Sequence, residues 1–217
     1  MRKSNAETAE TRKRILSIAS GMFLRNGIAA TSIADVMVAA GLTQGGFYRH
    51  FQSKEHLVAD ASAAAFEQTR AAFDAATAGK PPREALDLIV RHYLDQHRDT
   101  TLGNLCPMVN LASELRDADQ QIKAALTDGY ARLVKLLAAY LMRLDYSDYV
   151  GVAESIVSVL VGAVSVARVV TDAALSDTIL RNAQNTVDLI LRNAATGAGL
   201  APDNRAAAEA QRRPLQP

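Results

Sequence analysis

TSIADVMVAAGLTQGGFYRHFQSKEHL, residues Thr31–Leu57, carries more structural instruction than any other stretch of this 217-residue chain. Ser32 is a good N-cap, because its hydroxyl can accept a backbone N–H left free in a first helical turn. Ile33, Val36 and Met37 then fall on one face of a helix. Gly41 ends it, since glycine enters a left-handed turn without steric cost. Thr43 caps a second short helix, and Phe47 and Phe51, one helical turn apart, supply its buried side. Helix, tight glycine turn, helix: this is the helix-turn-helix layout.

The residue types are more specific than the layout. Ile33-Ala34, Ala40-Gly41, Gly45, Phe47-Tyr48, His50-Phe51, Lys54 and Leu57 stand where the TetR family of bacterial transcriptional repressors has its signature. The stretch resembles that signature with no insertion. The resemblance implies a DNA-binding head over residues 1–54 and a helical ligand-sensing and dimerisation body over 55–195. It also implies a homodimer on a palindromic operator, released by a small-molecule or electrophile inducer. The second short helix would enter the major groove with Gln44, Gly46, Tyr48 and Arg49 exposed. Glutamine and arginine can pair bidentately with adenine and guanine edges. By resemblance Thr31, Tyr48, His50 and Lys54 contact phosphates, although packing within the head is the other reading of Tyr48 and His50. Gly45 and Gly46 are poor helix residues, and close backbone approach to DNA would explain them. Gly46 departs from the family, which usually has a side chain there.

Charge is distributed as this division requires. The net charge is only +1, but residues 1–54 hold Arg2, Lys3, Arg12, Lys13, Arg14, Arg25, Arg49 and Lys54 against Glu7, Glu10 and Asp35. The front therefore carries +5 and the remainder −4. A basic head on an acidic body suits a phosphate-binding module joined to a regulatory domain. Arg12, Lys13 and Arg14 read equally well as a solvated helix face or as phosphate contacts.

Outward from the motif the chain reads as all-α. Ala6–Asn26 forms a first helix with the stripe Ile15, Ile18, Ala19, Met22 and Phe23, stopped by Gly27. A long helix runs from Ser53 to about Ala78. Further helices are expected at Arg83–Arg98, Pro107–Leu115, Asp119–Arg143, Ser147–Thr171 and Ser176–Asn193. No segment alternates with period two. Val150–Val170 is apolar on nearly every side, and the last helix has surplus apolar surface. The resemblance turns that surplus into a four-helix dimer interface using Val159, Ala163, Val166, Ile179, Ala183, Val187 and Ile190. The apolar run Ile156–Val170 is short for a membrane span. The polar N-terminus has no signal-peptide core. A cytoplasmic protein without a membrane partner is expected, with a disordered tail at 196–217.

The chemistry-bearing residues do not assemble into a catalytic motif. There is no HExxH, no paired-cysteine zinc spacing and no glycine-rich phosphate loop, so no metal or cofactor is implied. His92 and His97 point about 140° apart around a helix. An enzyme with Cys106 as nucleophile and His92 or His97 as base is the alternative, but no oxyanion-hole motif accompanies it. The resemblance instead places a ligand pocket inside the body, with Phe66, Phe73, Tyr93, Cys106, Met108, Tyr130, Leu133, Val159 and Gly162 as candidate lining. Plain core is the competing reading of each. Cys106, the single cysteine, has two readings: a small buried hydrophobe, or a sensor thiol. Pro107 favours an N-cap position, where the helix dipole would lower the thiol's pKa. Leu105–Leu111 with Glu114 resembles a TetR subgroup in which a Gly-Cys pair opens this helix and the thiol responds to electrophiles. Leu105 stands where that subgroup has glycine.

Overall fold

Short polar side chains and glycines set where the helices begin and end, and apolar stripes set which faces meet. The computed structural model describes residues 5–95, 106–111, 114, 116 and 118–195. In order these form α1 (Asn5–Asn26), α2 (Ile33–Ala39), a 3-10 turn (Gln44–Arg49), α3 (Lys54–Thr77) and α4 (Pro82–Asp95). Then come α5 (Pro107–Asn110), α6 (Gln120–Arg143), α7 (Tyr149–Val169) and α8 (Ala173–Ala195). No strand occurs among the described residues, and the fold is all-α.

The caps explain the boundaries. Ser32 Oγ accepts the Asp35 N–H at 3.1 Å while Asp35 Oδ2 accepts the Ser32 N–H at 3.1 Å, a reciprocal capping box. Gly27 and Gly41, at φ 84° and 68°, turn the chain out of α1 and α2. Ser53 caps α3 by accepting the His56 N–H, and Asp119 caps α6 by accepting the Ile122 N–H. Thr43 occupies the cap position of the 3-10 turn without a side-chain bond.

Some boundaries differ from expectation. The second member of the motif is a 3-10 turn, not an α-helix, and it contains the weak helix formers Gly45 and Gly46. Helix α7 starts at Tyr149 because Asp148 Oδ1 accepts the Gly151 N–H. Helix α8 starts before Ser176 because Asp172 Oδ1 accepts the Ala174 N–H at 2.8 Å. Ser176 lies within that helix and donates to the Ala167 carbonyl of α7 at 2.9 Å. Leu111 closes α5 after one turn. The expected extensions to Arg98 and Leu115, and the tail at 196–217, lie outside the described residues.

Two apolar clusters share α3. One packs Ile15, Ala19 and Phe23 of α1 and Val36 and Met37 of α2 around Phe47, Phe51 and Leu57. It continues along α3 to Ala65 and takes in Leu111 and Ile122. From Phe66 onward α3 belongs to the second cluster, with α4, α6, α7 and α8. Helix α7 is two residues shorter at each end than the expected Ser147–Thr171 but extends well beyond the apolar run Ile156–Val170 at its N-terminal end. At 21 residues it is long and apolar enough to cross a membrane by length and composition. It packs its Ala153, Ile156, Val157 and Leu160 face into the body core.

Candidate nucleic-acid interface and body cavity

The 3-10 turn stands on Phe47 and Phe51, which are fully buried with ring centroids 5.6 Å apart. Their anchoring leaves Gln44, Gly45, Tyr48 and Arg49 exposed on the opposite side, with Tyr48 at 72%. Gly46 is half-buried, and a Cβ there would sit 3.7 Å from Met37 Cε. Gly45 has no neighbour within 4 Å of its absent Cβ, so the chain's own packing does not demand a glycine.

The expected phosphate contacts divide. Tyr48 is exposed, and His50 is half-buried beside the Phe51 ring. Thr31 needs a correction: it is buried, and its hydroxyl donates to the Gly27 carbonyl at 2.8 Å, which stabilises the α1–α2 turn. Lys54 Nζ donates to the Ile28 carbonyl at 2.7 Å, so this cation also braces that turn. Arg12 pairs with Asp60 and lies over the Phe51 ring at 4.8 Å, joining α1 to α3. His56 Nε2 meets the same Asp60 oxygen at 3.2 Å. Lys13 and Arg14 remain exposed.

Inside the body, Phe66, Cys106 and Leu133 line one small cavity between α3 and α6 with Gly129 and Leu136. Its volume is about 10 Å³, room for one water. The other expected lining residues lie elsewhere. Phe73 and Tyr93 are fully buried core, with Phe73 edge-on to His92 at 5.6 Å. Met108, Tyr130 and Val159 are half-buried against that core, and Gly162 faces outward with nothing within 4 Å. Helical periodicity marked these as apolar positions but could not assign them to the α3–α6 seam. At the mouth of the cavity are Glu67, Arg70 and Arg132, which the sequence reading missed. The spacing of Glu67, Arg70 and Asp74 along one helix face was the available signal.

Most of the head and most of the body each match a known family. The family description "Bacterial regulatory proteins, tetR family" matches residues 15–61, and "Transcriptional regulator LmrA/YxaF-like, C-terminal domain" matches residues 82–185. The chain belongs to the TetR family. The regulator AcrR of Shigella flexneri is 39% identical over 59 residues, 27% of each chain. The similarity thus spans about a quarter of the length of such curated relatives. Over the whole fold, a TetR transcriptional regulator from Chloroflexus aurantiacus superposes with a TM-score of 0.70 at 26% identity. That match covers 84% of this chain and 96% of the other. The reduced form of E. coli NemR gives 0.70 at 20% identity, covering 82% and 95%.

In this TetR-family regulator the thiol differs from the sequence expectation. Cys106 is the N-cap of α5, with Pro107 next, as the Pro motif predicts. Its pKa is nevertheless raised, because complete burial outweighs the Tyr93 hydroxyl and the Met108 and Val109 N–H groups that favour the thiolate. The expected lowering is present as a local effect and loses to desolvation.

The outer face of α7 and α8 also needs correction. Ala183 and Val187 point into the chain's own core, and Val187 is fully buried. Val159, Ala163, Ile179 and Ile190 are half-buried, and Val166 is exposed. The exposed apolar surface includes Val166, Val169, Leu175 and Leu189. Helix α7 is apolar on both faces, so its stripe alone did not separate inside from outside, whereas the exposed face of α8 is mostly polar, with Arg181, Asn182, Asn185, Thr186 and Arg192 around Leu189.

One further link was not legible. Glu114 Oε2 accepts the N–H groups of Ile28 at 2.9 Å and Ala29 at 3.0 Å. The carboxylate thereby holds the same α1–α2 turn that Lys54 grips through its carbonyl. It follows α5, the helix that Cys106 opens, so the segment behind the cavity touches the head directly.

Proposed function

We propose that this regulator is a repressor that binds a palindromic operator as a homodimer and leaves it when a small molecule enters the α3–α6 cavity. The observation that carries the proposal is the continuity of α3. Its first turns pack in the core beneath Gln44, Tyr48 and Arg49, and Phe66, further along the same helix, lines the cavity. Ligand that parts α3 from α6 re-aims the head, favouring a spacing that no longer fits the operator. A coupling of about 1–3 kcal/mol is sufficient to relieve repression. Glu114 provides a second path, from the α5 segment to the α1–α2 turn.

Arg49 and Gln44 read base edges in this proposal, and Tyr48 and His50 meet phosphates. The absent side chain at Gly45, which nothing inside the chain requires, lets the backbone approach DNA closely. The exposed faces of α7 and α8 pair across the two-fold axis. Cys106 serves primarily as a wall of the cavity, since its burial opposes thiolate chemistry.

Gel-shift titration tests the proposal: nanomolar dimer should retard a palindromic promoter fragment, and an inducer found by thermal-shift screening should release it. Glu114→Ala should keep operator affinity while losing most of the inducer response. An operator complex that no Tm-raising compound disturbs would remove the inducer role. Release by quinone-type electrophiles that is abolished in Cys106→Ser would make the thiol, not the cavity, the sensor.

A further inference from the structure

The mouth of the α3–α6 cavity is closed by a carboxylate held between two guanidiniums. Glu67 Oε2 accepts from Arg70 Nε at 3.2 Å and Nη2 at 3.1 Å, and Oε1 accepts from Arg132 Nη1 at 2.9 Å. Among the described residues, Glu67–Arg132 is the one ion pair that joins α3 to α6. The rest of the lining is apolar, with Phe66, Leu133, Leu136 and Cys106, apart from Thr69, whose hydroxyl is taken up by the Ala65 carbonyl. Gly129 lies alongside, and its missing side chain lets the Phe66 ring press against α6.

A space of about 10 Å³ admits no organic molecule, so any ligand must open the seam and break the Glu67–Arg132 bridge. What then faces the opening is a pair of guanidiniums whose shared anion has been displaced. A cationic ligand would meet both positive groups as it entered. A neutral ligand would leave them without the carboxylate they shared. An anion replaces that carboxylate, and the Glu67 side chain, 44% exposed, turns into water at little cost. Arg70 keeps Asp74 at 2.6 Å and Arg132 keeps Asp128 at 4.0 Å, both outside the lining, so the newcomer competes with Glu67 alone.

The geometry points to an amphipathic organic monoanion as the ligand class, with its carboxylate taking the place of Glu67 between Arg70 and Arg132. Its compact apolar body then lies beneath, against Phe66, Leu133 and Cys106. This assignment rests on the reading of the cavity as the inducer site.

Matched probes on the full-length protein test it: naphthoate, naphthol and naphthylmethylamine, with decanoate, decanol and decylamine as an aliphatic set, read by thermal shift and by operator release. The acids should act at concentrations about tenfold below those of the alcohols, with the amines weakest, as expected for charge-assisted hydrogen bonds. Arg132→Gln and Arg70→Gln should each remove about that tenfold advantage, and Glu67→Gln, lacking the tethered competitor, should bind acids more tightly. All three positions are solvent-accessible, so the variants should fold. Alcohols or amines equal to the acids, or arginine variants that bind acids as wild type does, overturn the ligand class and leave the inducer reading standing. No thermal shift with any acid also overturns it. Acids that bind through the arginines without releasing operator uphold the class and sink the inducer reading instead.

Discussion

Arg49 and Cys106 show how far a single residue's chemistry can be taken from its neighbours. Arg49 is exposed at the end of the 3-10 turn, while Arg12, Lys54 and the Thr31 hydroxyl are committed to bonds within the head. Arg49→Ala should therefore weaken operator binding by about 1–3 kcal/mol and relax specificity at one base position. Equal operator affinities in a gel shift would remove Arg49 from the reading set. Sequence placed Gln44, Tyr48 and Arg49 on the exposed side, because Phe47 and Phe51 fix which side of the turn is buried, but Gly46, expected exposed with them, is half-buried against Met37. Sequence placed the bracing residues poorly: a lysine that meets a carbonyl looks the same in sequence as one that awaits a phosphate. For Cys106 the direction of the pKa shift sets a pH prediction. Burial raises it, so the neutral thiol is the form the fold accommodates. That contribution to stability is intact below the ordinary thiol range and is lost as pH rises through the raised value. Alkylation by iodoacetamide should be slower than for a free thiol at neutral pH, with its pH midpoint above the free thiol's. A midpoint at or below the ordinary value would restore an activated thiolate.

At the scale of helices, the α3–α6 crossing is the tightest contact that can be tested. A Cβ on Gly129 would lie 2.1 Å from two Phe66 ring carbons, and Phe66 is itself buried. Gly129→Ala gains up to about 1 kcal/mol of helix propensity. Overpacking costs about 1–3 kcal/mol and here involves a rigid ring, so the clash should win. Denaturant unfolding should show net destabilisation, and the Gly129→Ala, Phe66→Leu pair should recover part of it. If Gly129→Ala is more stable than wild type, the crossing is looser than described. Every described helix was legible from its stripe or cap, since Ser32, Ser53 and Asp119 are cap-forming types and the helix periods are clear. The partners of each helix were not. Ile122, Leu126, Tyr130, Leu133, Leu137 and Leu141 form one stripe, yet Ile122 packs with the head cluster and Leu137 with the body. A stripe records that a face is buried and says nothing about which neighbour buries it.

For the whole molecule, the proposed dimer rests on the outward faces of α7 and α8. Val169 is 77% exposed and Leu189 52%, on helices whose opposite faces already fill the core. Such surface is costly in water and fits a second copy of the chain, which would carry two reading turns one helical repeat of DNA apart, about 34–36 Å. The corrected burial pattern moves the test of the interface from Val187, which the sequence reading chose, to Leu189, which it did not. Val187→Asp puts a charge at a fully buried site and should prevent folding, losing the helical circular-dichroism signal. Leu189→Asp puts the same charge on exposed surface, so the monomer should fold normally while failing to pair. Sedimentation should then show a folded monomer, and the palindromic operator should be bound only at much higher concentration, because each head holds a half-site alone. A Leu189→Asp protein that sediments as a dimer would place the interface elsewhere. A folded monomer with wild-type operator affinity would show that pairing of α7 and α8 is not what sets the spacing of the heads.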